Sequence, residues 1–151
     1  LLPAPGQSET QQYVPTPIQE INMAYWTIVV DDDVSNLKMA GHILSQAGMR
    51  VTALQSGQTL VDYIGQNGVP DLILLDYSMP VTSGPQVLEM IRTETETSIP
   101  PVIFLTGKDD KESVTSVLAL KPEGYILKSA GKEKLLEQIA NFFESRKMKS
   151  F

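Results

Sequence analysis

Five side chains in this sequence pair a type that can do chemistry on a charged group with a place at the end of an apolar run: Asp31, Asp32, Asp76, Thr106 and Lys128. Asp76 closes the run Asp71-Leu72-Ile73-Leu74-Leu75-Asp76, after which Tyr77-Ser78-Met79-Pro80 turns the chain. A carboxylate in such a place can act as a nucleophile. Asp31 and Asp32 begin a second acidic run, Asp31-Asp32-Asp33, directly after Ile28-Val29-Val30. If the three carboxylates meet, each pair at about 4 Å repels by about 1 kcal/mol in water and about 4 kcal/mol at an effective dielectric of about 20. A hard divalent cation removes that repulsion. Mg²⁺ takes one or two carboxylates, carbonyl oxygens and water and leaves positions for phosphate oxygens; Mn²⁺ accepts the same donors. Lys128 would add a second positive charge, and Thr106 a hydroxyl that donates to a phosphoryl oxygen. Phosphoryl transfer is mostly positioning and charge neutralisation, so this set would suffice for transfer onto Asp76.

Whether the five meet depends on the elements that carry them. Tyr25-Trp26-Thr27-Ile28-Val29-Val30 is aromatic and β-branched and stops at the acidic run, which predicts a first strand. Leu37, Ala40, Ile43, Leu44 and Ala47 recur at helical spacing up to Gly48, a C-terminal cap. Met49 to Leu54 predicts a second strand and Thr59 to Ile64 a second helix. The apolar run ending at Asp76 is too short for a helix and predicts a third strand buried on both faces. Gly84 to Ile91 predicts a third helix, Pro101 to Thr106 a fourth strand, Lys111 to Leu118 a fourth helix and Tyr125 to Lys128 a fifth strand. Leu135, Leu136, Ile139, Phe142 and Phe143 mark a last amphipathic helix.

Five strand-helix units predict an α/β fold, a parallel sheet with helices on both faces joined by right-handed crossovers. In a parallel sheet all strand ends of one polarity share an edge, where ligands collect. Asp31, Asp32, Asp76, Thr106 and Lys128 each fall at such an end, so they converge although nearly 100 residues separate the first from the last.

Bulk properties exclude several classes. The 151 residues suit one domain. A net charge of -6 leaves no excess of Lys and Arg to release counterions from a phosphate backbone, so direct nucleic-acid binding is not expected. There is no Cys, which removes disulfide and thiolate chemistry. No apolar run approaches the length of a membrane span, and the start lacks a signal peptide's basic region and apolar core, so a soluble, cytoplasmic chain without membrane insertion is expected. Residues 1–24 carry Pro3, Pro5, Pro15 and Pro17 among Gln, Ser and Thr and read as a linker or leader. The opening on Leu1 rather than Met suggests a fragment of a longer protein, with Met23 as an alternative natural start.

The segments Ile28-Val29-Val30-Asp31-Asp32-Asp33, Asp71 to Pro80 with Gly84, Phe104-Leu105-Thr106-Gly107 and Gly124-Tyr125-Ile126-Leu127-Lys128, in that order and spacing, resemble the receiver domain of response regulators in two-component signalling, of the chemotaxis-receiver kind. The resemblance runs from about Tyr25 to Arg146, within a receiver domain read at residues 25–148. It implies a flavodoxin-like, doubly wound, five-stranded sheet of order 2-1-3-4-5 with five helices. It also implies that Asp76 accepts a phosphoryl group from the phosphohistidine of a histidine kinase or histidine phosphotransfer protein. Asp31, Asp32, Asp76 and the Ser78 backbone carbonyl would hold Mg²⁺ or Mn²⁺, and Thr106 and Lys128 would hold the phosphoryl oxygens. Thr106 and Tyr125 would form the switch, acting on the face of helix 4, strand 5 and helix 5, where a homodimer could also form. Such a domain is a phosphorelay component rather than a turnover enzyme. Its expected setting is the C-terminus of a multidomain protein such as a hybrid histidine kinase, with a stand-alone receiver as the alternative.

Three features depart from the family pattern or bear on its chemistry. Ser129 follows Lys128 where Pro is usual, Lys121-Pro122 replaces small residues before the fifth strand, and Ser78 and Lys108 occupy places that govern water access to an acyl phosphate. Plainer readings exist for several residues. Asp33 reads best as a helix cap, Asp71 as a strand start, His42 as a surface residue, the methionines and Phe142 and Phe143 as core, and a half-buried Tyr125 needs no signalling role. A haloacid-dehalogenase-type phosphatase would need an acid where Ser78 stands. A nucleotide site would need a Gly-rich first turn where this chain is triply acidic. The remaining alternative is a protein-interaction module whose phosphorylation is incidental.

Overall fold

The computed structural model describes residues 25–94 and 100–149; the predicted leader of residues 1–24 lies outside them. Strands β1 (Trp26–Val30), β2 (Arg50–Leu54), β3 (Leu72–Leu75), β4 (Val102–Thr106) and β5 (Gly124–Leu127) form one parallel sheet of order β2-β1-β3-β4-β5. Between and after them run α1 (Val34–Gln46), α2 (Gly57–Asn67), α3 (Gly84–Glu94), α4 (Lys111–Leu118) and α5 (Lys132–Lys149). The expected α/β class, strand order and five helices are all present.

Strand alternation divides the core. Val29, Leu74, Ile103, Leu105 and Ile126 face one side, against Leu37, Ala40 and Leu44 of α1 and Leu135, Leu136 and Ile139 of α5. Ile28, Val30, Ile73, Leu75 and Phe104 face the other, against α2, α3 and Val117 of α4. All four residues of β3 are wholly buried, as its unbroken apolar run requires, because helices cover both faces of a central parallel strand. Full burial of each such Leu or Ile stabilises by about 1.5–3 kcal/mol.

Local signals account for most element ends. Asp33 caps α1 by accepting from the Ser35 and Asn36 amides at 2.8 and 3.3 Å, as expected. Gly48 follows that helix at φ 93, a left-handed position that suits glycine. His42 is exposed, as expected. Four expectations need correction. Asp71 does more than start its strand: Oδ2 accepts from the Trp26 amide at 2.8 Å, so it ties β3 to the start of β1. Met39 is exposed although it sits in an apolar helix, because it falls off the stripe that faces the sheet. Phe142 is only half-buried beside the buried Phe143. Lys128 is not the last strand residue but the first of a 3-10 turn, Lys128–Ala130.

The unusual Lys121-Pro122 pair has a structural consequence. Lys121 adopts φ 55 just past α4. The Arg92 guanidinium, from α3, donates to the carbonyls of both Leu120 and Lys121, and so ties down the turn that follows α4. Hydrogen bonds from a charged donor contribute about 1.5–3 kcal/mol. Arg92→Ala is therefore expected to lower the unfolding free energy by roughly that amount, read as a reduced urea midpoint. An unchanged midpoint would show that the clamp carries no net energy.

A second unusual backbone lies nearer the edge that carries the acidic residues. Val81 has φ 70, and across it the Thr82 amide donates to the Pro80 carbonyl at 2.7 Å. These two features define a classic-type γ-turn, a rare and strained form. A left-handed backbone costs an L-residue about 1–2 kcal/mol, and a β-branched one is an outlier there.

Candidate functional site

The strand registers place the site. Val30 pairs with Leu75 and Leu75 with Phe104, so Asp31 and Asp76 leave the sheet side by side and Thr106 ends β4 beyond them. Thr106 pairs with Leu127, and Lys128 follows. Backbone bonds fix these ends: the Asp31 amide donates to the Leu54 carbonyl at 3.1 Å and the Asp76 amide to the Val30 carbonyl at 3.0 Å. Ser78 lies exposed in the loop after β3, two residues past Asp76.

The structure brings together the five side chains singled out from the sequence. Carboxylate oxygens of Asp31, Asp32 and Asp76 lie within 4.8 Å of one another. Lys128 Nζ stands 2.6 Å from Asp31 Oδ2 and 3.5 Å from Asp76 Oδ2. Thr106 is buried, and its hydroxyl lies close enough to Asp76 to lower that carboxyl's pKa. Asp31 and Asp76 are buried, whereas Asp32 is exposed.

Burial, then the charge of Asp31, raises the Asp76 pKa above its ordinary 3.8; Lys128, Thr106 and the Tyr77 amide act in the opposite direction without cancelling them. The carboxylate is thus held at a cost, the state in which an added cation is favourable. The donor set fits a hard divalent ion, since opposite ligands of an octahedral Mg²⁺ lie about 4.2 Å apart. Asp31, Asp32, Asp76 and the Ser78 carbonyl are the residues that would hold it.

Lys128 now neutralises oxygens such an ion would take. Even in water, charges at about 4 Å interact by about 1 kcal/mol per unit pair, and a divalent ion doubles it. Lys128→Met is therefore expected to tighten Mg²⁺ binding by roughly tenfold or more, read by calorimetric titration. Weaker binding would show that Lys128 organises the carboxylates rather than competing for them.

One connection was not legible in the sequence. The Lys108 amide donates to Thr106 Oγ1 at 3.2 Å, and the Tyr125 hydroxyl donates to the Lys108 carbonyl. A hydrogen-bonded path therefore runs from Thr106 through the Lys108 peptide to Tyr125 on β5. The link is made of backbone groups, which any residue at position 108 except proline would supply. Every peptide bond among the described residues is trans, including that before Ser129.

Comparison with known proteins agrees with this geometry. The family model of the response regulator receiver domain matches residues 27–140. A chemotaxis protein CheY from Treponema pallidum is 32% identical over 119 residues, covering 78% of this chain and 81% of its own. A probable cyclic di-GMP phosphodiesterase from Vibrio cholerae is 30% identical over 122 residues, covering 81% of this chain but 27% of its own. This chain spans about half of two further curated relatives. Among solved structures, the BeF3-activated receiver domain of DrrB is 30% identical with a TM-score of 0.67, covering 80% of this chain and 97% of that one. The match spans the sheet and the four strand ends that build the site, and the chain belongs to the receiver-domain family of two-component response regulators.

Proposed function

We propose that this chain is a phosphoacceptor in which Asp76 takes a phosphoryl group from the phosphohistidine of a histidine kinase or histidine phosphotransfer protein. The observation that carries this reading is Lys128 Nζ held against both Asp31 and Asp76, with buried Thr106 ending the neighbouring strand. In the step, an Asp76 carboxylate oxygen attacks phosphorus, the O–P bond forms as the N–P bond of phosphohistidine breaks, and the imidazole, protonated on its other ring nitrogen, takes the bond's electron pair and leaves neutral. Lys128 and the Thr106 hydroxyl hold the transferred oxygens. Mg²⁺ or Mn²⁺ bound by Asp31, Asp32, Asp76 and the Ser78 carbonyl would supply the remaining positive charge.

The output follows from the path between Thr106 and Tyr125. A phosphoryl group that draws Thr106 toward it disturbs the Lys108 peptide and so the Tyr125 hydroxyl, shifting the face of α4, β5 and α5 toward an effector or a second copy of the chain. The Treponema relative is covered over 81% of its length and the Vibrio relative over 27%. Receivers similar to this one thus occur both nearly alone and inside much longer chains, and either setting, including the C-terminus of a hybrid kinase, suits the site.

Titration with beryllofluoride and Mg²⁺, followed by amide NMR, tests the reading. Shifts at residues 76–83, Thr106 and Tyr125 are expected. Absence of a response, or a response that survives Asp76→Asn, would overturn the proposal and favour an interaction module without a phosphoswitch.

A further inference from the structure

The nucleophile is recessed. Asp76 is 6% exposed and Thr106 1%, so a protein that donates to Asp76 must rest on the loops around the site. Two apolar side chains stand out there. Val81, in the loop after β3, is 102% exposed, and Val34, just beyond Asp31 and Asp32 after β1, is 48% exposed. β1 and β3 are adjacent strands, so these loops leave neighbouring strand ends.

Val81 is the more informative of the two. Its γ-turn holds a branched residue at φ 70 with the Thr82 amide bonded to the Pro80 carbonyl. The side chain makes up none of that strain by packing, because it is fully in solvent. Strained backbone of this kind clusters where a ligand or partner is engaged. The Gly84 amide closes the same loop by donating to the Tyr77 carbonyl at 2.8 Å, so the turn presents Val81 from a fixed base. A rigid apolar side chain beside a buried reactive group suits insertion into a partner's pocket, where water exclusion would favour the contact.

We propose that Val81 is the apolar anchor by which a histidine-phosphorylated donor protein recognises this chain, the donor offering a small apolar pocket beside its phosphohistidine. The inference rests on the phosphoacceptor reading. Acidic Asp32 and Asp33 on the neighbouring loop and Asp109 and Asp110 after β4 are exposed and favour a donor with basic residues around that pocket.

The test compares two donors on the full chain: acetyl phosphate with Mg²⁺, and a panel of phosphorylated histidine phosphotransfer domains. Val81→Asn keeps a residue that tolerates left-handed backbone but removes the apolar anchor; Val81→Gly also removes it and relieves the strain; Val81→Ile keeps it. The ratio of protein-donor to acetyl-phosphate loading rates is expected to fall about tenfold in the Asn and Gly variants, the scale of one interface anchor, and to hold in the Ile variant. An unchanged ratio in Val81→Asn overturns the inference. So does failure of every phosphotransfer domain to load the wild type faster than acetyl phosphate, or a variant effect on self-association in place of transfer. Loading of Asp76 by acetyl phosphate but by no protein removes the anchor and leaves the phosphoacceptor intact, while loading from neither source removes both.

Discussion

Asp76→Asn is expected to abolish phosphoryl acceptance while making the metal-free chain more stable. Asn has no anionic oxygen to attack phosphorus, so acetyl phosphate and beryllofluoride responses should fall to background. The stability gain follows from Asp76's environment. Burial and Asp31 raise its pKa in the folded state despite Lys128 at 3.5 Å. A carboxyl whose folded pKa lies above its unfolded value contributes stability that is present below the ordinary 3.8 and is lost as the pH rises through the raised folded value. At pH 7 the wild type therefore carries a penalty that Asn lacks, and Lys128 keeps Asp31 at 2.6 Å as its partner. The difference in urea midpoint should favour Asn at pH 7 and shrink as the pH is lowered toward 4. Saturating Mg²⁺ should reverse the order, because a ligand at 100 times its Kd stabilises the state it binds by about 2.7 kcal/mol and the Asn site binds it less well. A wild type more stable than Asn at pH 7 without metal would refute this account of the site.

Gly84→Ala is the second large effect, expected to cost about 3 kcal/mol or more, at and beyond the upper end for overpacking. A Cβ at this position would fall 2.2 Å from the Asp76 carbonyl oxygen and 2.9 Å from both the Phe104 ring and the Tyr77 Cα. Two of these neighbours are backbone and cannot rotate away. The change should also weaken Mg²⁺ binding, since relief of the clash moves the backbone that carries Asp76 and Ser78. Denaturant unfolding and calorimetric titration would measure the two effects. A variant with normal stability would mean that the loop yields without cost.

These positions differ in how far the sequence disclosed them. Leu72 to Leu75 announced a central strand because covered parallel strands need apolar residues on both faces, and α4 fell on its expected bounds, Lys111–Leu118. Alternating strands and helices then implied a shared edge for Asp31, Asp76, Thr106 and Lys128. Gly84 was visible as part of a motif, but its reason, a carbonyl with no room for a Cβ, was not. The Lys108 bridge and the clamp of Arg92 on α4 involve main-chain carbonyls, which carry no residue-type signal. Val81 gave no warning, since a β-branched residue is normally expected in extended backbone.

The sequence by itself determined the class of fold and singled out the five side chains that meet at its edge, because hydrophobic period and residue type are local properties that survive in one dimension. Tertiary structure decided how those members interact. It set Lys128 closer to Asp31 than to Asp76, left Asp32 exposed while burying its two acidic neighbours, and tied Thr106 to Tyr125 through a peptide. Those outcomes depend on strand register and loop closure across nearly 100 residues, where sub-ångström placement determines which charge pairs with which.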